Sequence, residues 1–187
     1  MSVICYIQAR GGSKRFPRKN LALWNGKPMV ADAIEKAQAA RVFDYIAVSS
    51  DDPEILQIAV DYGVLPLWRS QQASSDTATD DDVAAEVTRY FPNSDIFCKM
   101  YPCVPLLTPT NIRELYHSYC DNDAYGVYFT DTDFKDAGSV YIFGRDDYKA
   151  YGTISLSGFP WSTKMTNNAI DINTPEDLET ARRIAND

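Results

Sequence analysis

Val3-Ile4-Cys5-Tyr6-Ile7, followed by Gln8-Ala9-Arg10-Gly11-Gly12-Ser13-Lys14-Arg15, decides the fold of this 187-residue chain. The first five residues are an apolar, partly β-branched run, the pattern of a strand buried on both faces. Two glycines and a set of cations then break it. From there the chain alternates. Asn25-Gly26-Lys27-Pro28 reads as a turn, with Pro28 suited to a first helical turn, and Met29, Ala33, Ile34 and Ala37 recur at helical spacing. Asp44 to Ser49 reads as a second strand. Asp52-Pro53 opens a helix through Ile55, Leu56, Ala59 and Tyr62, and Gly63 closes it. Val64 to Leu67 is a third strand.

The same alternation carries to the C-terminus. Thr79 precedes the acidic triplet Asp80-Asp81-Asp82, and Val83, Val87 and Tyr90 make a helical stripe. The triplet fits a helix N-terminus, where carboxylates meet the positive end of the helix dipole, better than a metal site. Asp95 to Tyr101 is strand-like, and Thr108-Pro109 starts a helix through Leu115 and Tyr119. Ala124 to Phe129, Ser139 to Phe143 and Tyr151 to Leu156 are further strands, and Thr174-Pro175-Glu176-Asp177 starts a last helix bearing Leu178, Ala181 and Ile184. Strands alternating with helices imply an α/β fold: a three-layer, Rossmann-like, mostly parallel sheet with helices on both faces, in one domain over 1–187. Such sheets bind ligands at the carboxyl ends of their strands, which directs attention to the loops after Ile7, Ser49, Tyr101 and Ile170.

Composition excludes several classes. Apolar residues make up 45% and charged residues 24%, as in an ordinary globular protein. There is no run of about 18 apolar residues, so no membrane span is expected. The N-terminal run lacks the leading positive charge and small-residue cleavage site of a secretory signal, which implies the cytoplasm. Cys5, Cys98, Cys103 and Cys120 form no CxxC pair, and His117 is the single histidine, so reduced thiols are expected rather than a zinc site. Residues 1–31 carry Arg10, Lys14, Arg15, Arg18, Lys19 and Lys27 and no acid, whereas the chain as a whole has a net charge of -8. A basic segment on an acidic body is poorly suited to coating nucleic acid and well suited to gripping one small, highly charged anion. The loop from Gln8 to Asn20 is neither a Walker A loop nor a GxGxxG loop. Its two glycines and five cations between Arg10 and Lys19 are nonetheless the composition that holds a polyphosphate.

The segment Ala9-Arg10-Gly11-Gly12-Ser13-Lys14, with Pro17 and Lys19-Asn20, closely resembles the N-terminal signature of the acylneuraminate cytidylyltransferases. The resemblance continues through Gly26-Lys27-Pro28, Phe43-Asp44, Val48-Ser49-Ser50-Asp51-Asp52, Arg69, and Ser74-Ser75-Asp76-Thr77-Ala78. It closes with Ala169-Ile170-Asp171-Ile172-Asn173-Thr174-Pro175-Glu176-Asp177-Leu178. The stretches around Leu67 to Ser70, Tyr101-Pro102-Cys103-Val104-Pro105-Leu106 and Asp136-Ala137-Gly138 look most like the pseudaminic acid branch.

This resemblance implies a fold of the nucleotide-diphospho-sugar transferase type, with a nucleotide-binding half over 1–120 and an acceptor- and metal-binding half over 121–187. It implies a CTP-dependent transfer of CMP to a nonulosonic sugar acid, with pyrophosphate leaving. Arg10, Lys14 and Lys19 would hold the triphosphate with the N–H groups of Gly11 and Gly12 and with Ser13, and Arg10, Lys19 and Asp171 would carry the catalysis. Ala9, Asn20, Arg69 and Ser75 would line the cytidine site. Tyr101, Pro102, Asp136, Ala137 and Gly138 would border the sugar acid. Mg²⁺ would be held by Asp171 and by Asn173, which stands where the family has a second aspartate; the alternatives are a metal held mainly by Asp171 and phosphate oxygens, and an Asn173 that is only a cap or turn residue before Thr174-Pro175. The resemblance also implies a homodimer, with no nucleic-acid or membrane partner.

One departure is larger. Between Phe129 and Asp136 the family carries a long segment that shapes the sugar-acid pocket and the dimer contact, and here only Thr130 to Lys135 stand in its place. Lys135, Arg145, Lys149 and Lys164 are the cations near enough in sequence to meet the acid's carboxylate. Two alternatives follow from the shortening: a nucleotide-binding relative with impaired catalysis, or a nucleotidyltransferase with a smaller sugar acceptor.

Overall fold

The computed structural model describes residues 1–122, 126–130, 136–154, 163–164 and 170–186. Its strands are β1 (Val3–Gln8), β2 (Leu23–Trp24), β3 (Lys27–Pro28), β4 (Tyr45–Ser50), β5 (Leu65–Trp68), β6 (Ile96–Met100), β7 (Gly126–Thr130), β8 (Asp136–Gly144) and β9 (Thr163–Lys164). Its helices are α1 (Met29–Ala40), α2 (Pro53–Asp61), α3 (Gln71–Ser74), α4 (Asp80–Tyr90), α5 (Pro109–Asp121), α6 (Arg145–Tyr151) and α7 (Pro175–Asn186).

The main sheet has the order β5-β4-β1-β6-β8-β7-β9. β1 pairs in parallel with β4 and with β6, and β4 pairs in parallel with β5. β8 alone among the described strands of this sheet runs antiparallel, to both β6 and β7. The mostly parallel α/β architecture read from the sequence is therefore the observed one.

Alternation along β1 explains the three layers. Cys5 and Ile7 face a cluster with Val30, Ile34, Ala37, Ile55, Ala59, Ile112 and Leu115 of α1, α2 and α5. Ile4 and Tyr6 face the other layer, with Val83, Ala84 and Val87 of α4 and Phe97 and Phe143 of the sheet. A strand whose two sides both meet helices must be apolar at every position, and Ile4 to Ile7 are all fully buried. A third cluster joins Trp24, Met29, Cys103, Ile172, Leu178 and Ala181. It docks the C-terminal segment against the N-terminal hairpin, and the Ile172 N–H donates to the Cys103 carbonyl at 2.8 Å.

The caps follow the sequence. Asp52 accepts from the Glu54 N–H, Thr79 and Asp82 form a capping box, and Thr108 and Asn111 form another. Gly63, at φ +70°, takes the left-handed conformation past the end of α2. One expectation is corrected. From Tyr151 to Ile154 the expected strand does not form, because Tyr151 ends α6 and Gly152 closes that helix at φ +71° with its N–H on the Tyr148 carbonyl. Ser155 and Leu156 lie outside the described residues.

Candidate active site

A cleft of about 760 Å³ opens at the carboxyl ends of β1, β5 and β6, where the sheet rule places a ligand. The loop after β1 supplies one wall. Arg10, Ser13, Lys14, Arg15 and Lys19 all line the cleft. Arg10 and Lys14 both reach Asp76, at 3.5 and 2.6 Å, and Lys14 above all holds that carboxyl below its usual range. These ion pairs are solvent-exposed and therefore weak, so an arriving polyphosphate can take both cations.

The glycines behave differently from each other. The Gly11 N–H donates to Asp51 Oδ1 at 2.8 Å, so it already has a protein partner. A Cβ on Gly11 would lie 2.8 Å from Asp52 Cβ, whereas one on Gly12 would meet nothing within 4 Å. Gly11 thus lets the loop pack against the start of α2. Neither glycine is among the described residues lining the cleft.

Asn20, Arg69 and Ser75 line a second part of the wall. Asn20 is buried; its Nδ2 donates to the Arg10 carbonyl at 2.8 Å, and its Oδ1 accepts from the Cys103 thiol at 3.0 Å. Arg69 is 2% exposed and donates to Ser49 Oγ at 3.0 Å and to the Ser49 carbonyl at 2.7 Å. Burial lowers its pKa to about 10, against the pull of Asp51 and Glu86. Ala9 is fully buried beneath the loop, its N–H on the Ser49 carbonyl, and is not among the cleft-lining residues.

The C-terminal segment completes the wall. Lys19 Nζ donates to the Ile172 carbonyl at 2.7 Å across 153 residues of chain, and lies 3.3 Å from Asn173 Oδ1. Arg15 donates to the same Oδ1 at 2.8 Å, and Asn173 Nδ2 donates to Asp171 Oδ2 at 2.8 Å. The amide could not be turned the other way, because its NH₂ would then face two cations. Asn173 is therefore a site residue as well as a turn residue, its backbone N–H being held by Asp177. Burial raises the Asp171 carboxyl above its usual range in spite of Lys19 and the Asn173 amide.

Among the described residues no group of three or more His, Cys, Asp or Glu could hold a metal. Asp171 nonetheless offers one partly buried carboxylate on the cleft wall, and Asn173 an amide oxygen that Arg15 and Lys19 would have to yield. That donor set fits Mg²⁺, which keeps several waters and takes one or two protein ligands plus substrate phosphates.

Tyr101 and Pro102 line the cleft as well. Asp136, Ala137 and Gly138 form the backbone at the start of β8, whose Ser139 carbonyl accepts the Tyr101 N–H at 3.0 Å; their side chains are not among those described. Of the cations considered for a sugar-acid carboxylate, Arg145 is excluded. Its guanidinium donates to the Phe91 and Ser94 carbonyls, and its N–H to Asp95, where β6 begins and at the far end of the sheet from the cleft. Lys149 is exposed and lies 3.7 Å from Asp146 on its own helix. Lys135 lies outside the described residues, as does the Lys164 side chain.

Sequence reasoning gave no site role to Gln8, Arg15 and Asp80, which line the cleft, or to Lys99 behind them. Asp80, read as one of three helix-start acids, turns into the cleft. Tyr101 Oη donates to it at 2.6 Å, Gln8 Nε2 donates at 3.0 Å, and Lys99 Nζ sits at 2.5 Å. Arg15 was visible only as one charge in a basic run. The single usable signal was a lysine inside the apolar strand Ile96-Phe97-Cys98-Lys99-Met100.

Known proteins resemble this chain in sequence and in fold. The family model described as "Cytidylyltransferase" matches residues 4–184. A pseudaminic acid cytidylyltransferase of Campylobacter jejuni subsp. jejuni serotype O:23/36 (strain 81-176) is 33% identical over 165 residues, 80% of this chain and 71% of that protein. A CMP-N,N'-diacetyllegionaminic acid synthase of Legionella pneumophila subsp. pneumophila is 36% identical over 112 residues, 59% of this chain and 47% of that one. In three dimensions a CMP:2-keto-3-deoxy-manno-octonic acid synthetase complexed with CTP superposes with a TM-score of 0.80 at 18% identity, over 100% of this chain and 99% of that one.

Proposed function

This chain belongs to the cytidylyltransferase family, and we propose that it transfers CMP from CTP to a nonulosonic sugar acid of the sialic or pseudaminic kind, releasing pyrophosphate. One observation carries the reading. The cationic loop after β1, the buried Arg69 and the pair Asp171–Asn173 converge on a single cleft although they are far apart in sequence.

The chemistry asks for positioning and charge neutralisation rather than a protein nucleophile. The acceptor hydroxyl attacks the α-phosphorus, a new O–P bond forms, the bond to the bridging oxygen breaks, and pyrophosphate departs. The hydroxyl proton passes to water. In this reading Arg10, Lys14 and Lys19 neutralise the triphosphate, Arg10 and Lys14 exchanging Asp76 for phosphate oxygens. Lys19 keeps its hold on the Ile172 carbonyl and so ties the phosphate wall to the metal wall. Arg69 spends two donors on Ser49 and retains others of its five for the acceptor atoms of cytosine, with Asn20 and Ser75 beside it. Asp171, with Asn173 once its amide oxygen is released, would hold Mg²⁺, which would offset phosphate charge in the transition state. His117 on α5 takes no part, and Cys103 serves only by holding the Asn20 amide.

No helix among the described residues is long and apolar enough to cross a membrane. The reading puts the activity in the cytoplasm and keeps the homodimer as part of the proposal, the family's dimer-contact segment being shortened here. The test is product identification. CTP, Mg²⁺ and a nonulosonic acid should give a CMP-linked acid by mass spectrometry, and ATP or GTP should give none. Nucleotide binding with no linked product from any acid would replace the transferase by a nucleotide-binding relative.

A further inference from the structure

Asp80, Lys99, Tyr101 and Gln8 form a hydrogen-bonded set in the cleft wall at the ends of β1 and β6, and the phosphate chemistry above makes no use of it. The Lys99 side chain is 1% exposed. Its ammonium lies 2.5 Å from Asp80 Oδ2, 3.2 Å from Tyr101 Oη, and 3.7 and 4.4 Å from the ring centroids of Tyr141 and Tyr101. Burying an ion pair seldom stabilises a protein more than apolar side chains of the same size would, so stability does not account for this one.

Within the Lys99–Asp80 pair the open member is Asp80, whose side chain keeps 35% of its exposure and faces the cleft. An ionised carboxylate has about four acceptor positions. Gln8, Lys99 and Tyr101 donate to it and leave capacity on the cleft side. Beside it, Gln8 Oε1 is buried and accepts from no partner among the described residues. Of the two, the ionised Asp80 carboxylate is the one open to the cleft, and it can only accept. The piece of ligand that belongs here must therefore donate a hydrogen bond. A phosphate or a carboxylate would be repelled; a hydroxyl or an amide N–H would be held.

This sorts the two ends of a sugar acid. Its carboxylate, and the attacking hydroxyl next to it, go with the cations that hold the phosphates. Its remaining hydroxyl and acylamino groups are the donors. Resting on the transferase reading, we propose that Asp80 is a specificity-determining contact for a hydroxyl or acylamino N–H of the acceptor, and that Lys99 is a positioning residue that holds the Asp80 carboxylate in place. Cytidine also carries donors, but Asp80 is bonded to Tyr101, whose N–H is tied to β8 in the acceptor half.

The experiment measures KM for CTP and for the nonulosonic acid turned over by the wild type, together with CTP affinity by calorimetry. The variants are Asp80→Asn, Lys99→Met, Lys99→Arg and the double variant Asp80→Asn/Lys99→Met. Asp80→Asn should raise the acceptor KM by about tenfold or more, the scale of a lost hydrogen bond to a charged group, and leave CTP affinity unchanged. Lys99→Met should move the acceptor KM in the same direction, and Lys99→Arg should recover part of the loss. The double variant leaves no buried charge unpaired, so it decides the matter if a single variant does not fold. Equal losses for CTP and acceptor would assign Asp80 to the nucleotide and overturn the proposal. An unchanged acceptor KM in the folded variants would also overturn it, leaving the transferase reading intact. A wild type that makes no CMP-linked acid would overturn both.

Discussion

Lys19 Nζ and Asn173 Oδ1 lie 3.3 Å apart, joining the first loop of the chain to the segment before its last helix. Arg15 donates to the same oxygen at 2.8 Å, so two cations already face the one amide oxygen that Asn173 would offer a metal. A neutral ligand in such a place gives the metal less than the second carboxylate its relatives are expected to carry.

Restoring that carboxylate should matter in a definite direction. Asn173→Asp should lower the Mg²⁺ concentration for half-maximal turnover by about tenfold, the lower end of what altered metal surroundings cost. Asp171→Ala should abolish Mg²⁺-dependent turnover. A Mg²⁺ titration of both variants checks this, and unchanged dependence in Asp171→Ala would move the metal elsewhere.

The loop cations separate phosphate from base. Arg10→Ala and Lys19→Ala should each weaken CTP by about 10- to 100-fold, the scale of a charge-assisted hydrogen bond, and weaken CMP much less. Calorimetry with both nucleotides is the check, and equal losses would show that these side chains face the base.

The two glycines make a paired test. Gly11→Ala forces its new Cβ to within 2.8 Å of Asp52 Cβ, at the cap of α2, and should cost about 1–3 kcal/mol. Gly12→Ala meets nothing and should stay within about 0.5 kcal/mol of wild type. Urea denaturation of both variants distinguishes packing from a shared requirement for glycine.

Much of this was legible in sequence. The buried strand Val3 to Ile7, the Pro-containing helix starts and the basic loop are local patterns, and they fix the architecture and one wall of the cleft. Asp80 was not legible, because helix-dipole logic accounts equally for Asp80, Asp81 and Asp82. Only the seating of α4 on the sheet separates them: Asp82 caps the helix, Asp81 accepts from Thr153 and Ile154, and Asp80 meets Lys99. Arg145 misled for the converse reason. Nearness in sequence to the acceptor half gave it a role, while the antiparallel course of β8 carries it to the wrong end of the sheet.

Acid sensitivity should follow from Asp80. Burial alone would raise its carboxyl, but Lys99, Tyr101 and Gln8 together hold it below its usual range. A depressed folded-state value contributes stability that is fully present above the unfolded carboxylate pKa of about 3.9 and is lost as pH falls through the folded value. Denaturation midpoints should therefore fall less steeply between about pH 4 and pH 2 in Asp80→Asn than in wild type. Parallel acid limbs would contradict the assignment.

The central claim is tested most directly by pyrophosphate release from CTP, followed continuously with Mg²⁺ across nonulosonic and shorter sugar acids. The account predicts release that requires the acid, matches CMP-linked product one for one, and fails with ATP and GTP. CTP that binds but yields no acid-dependent pyrophosphate with any member of the panel would contradict it.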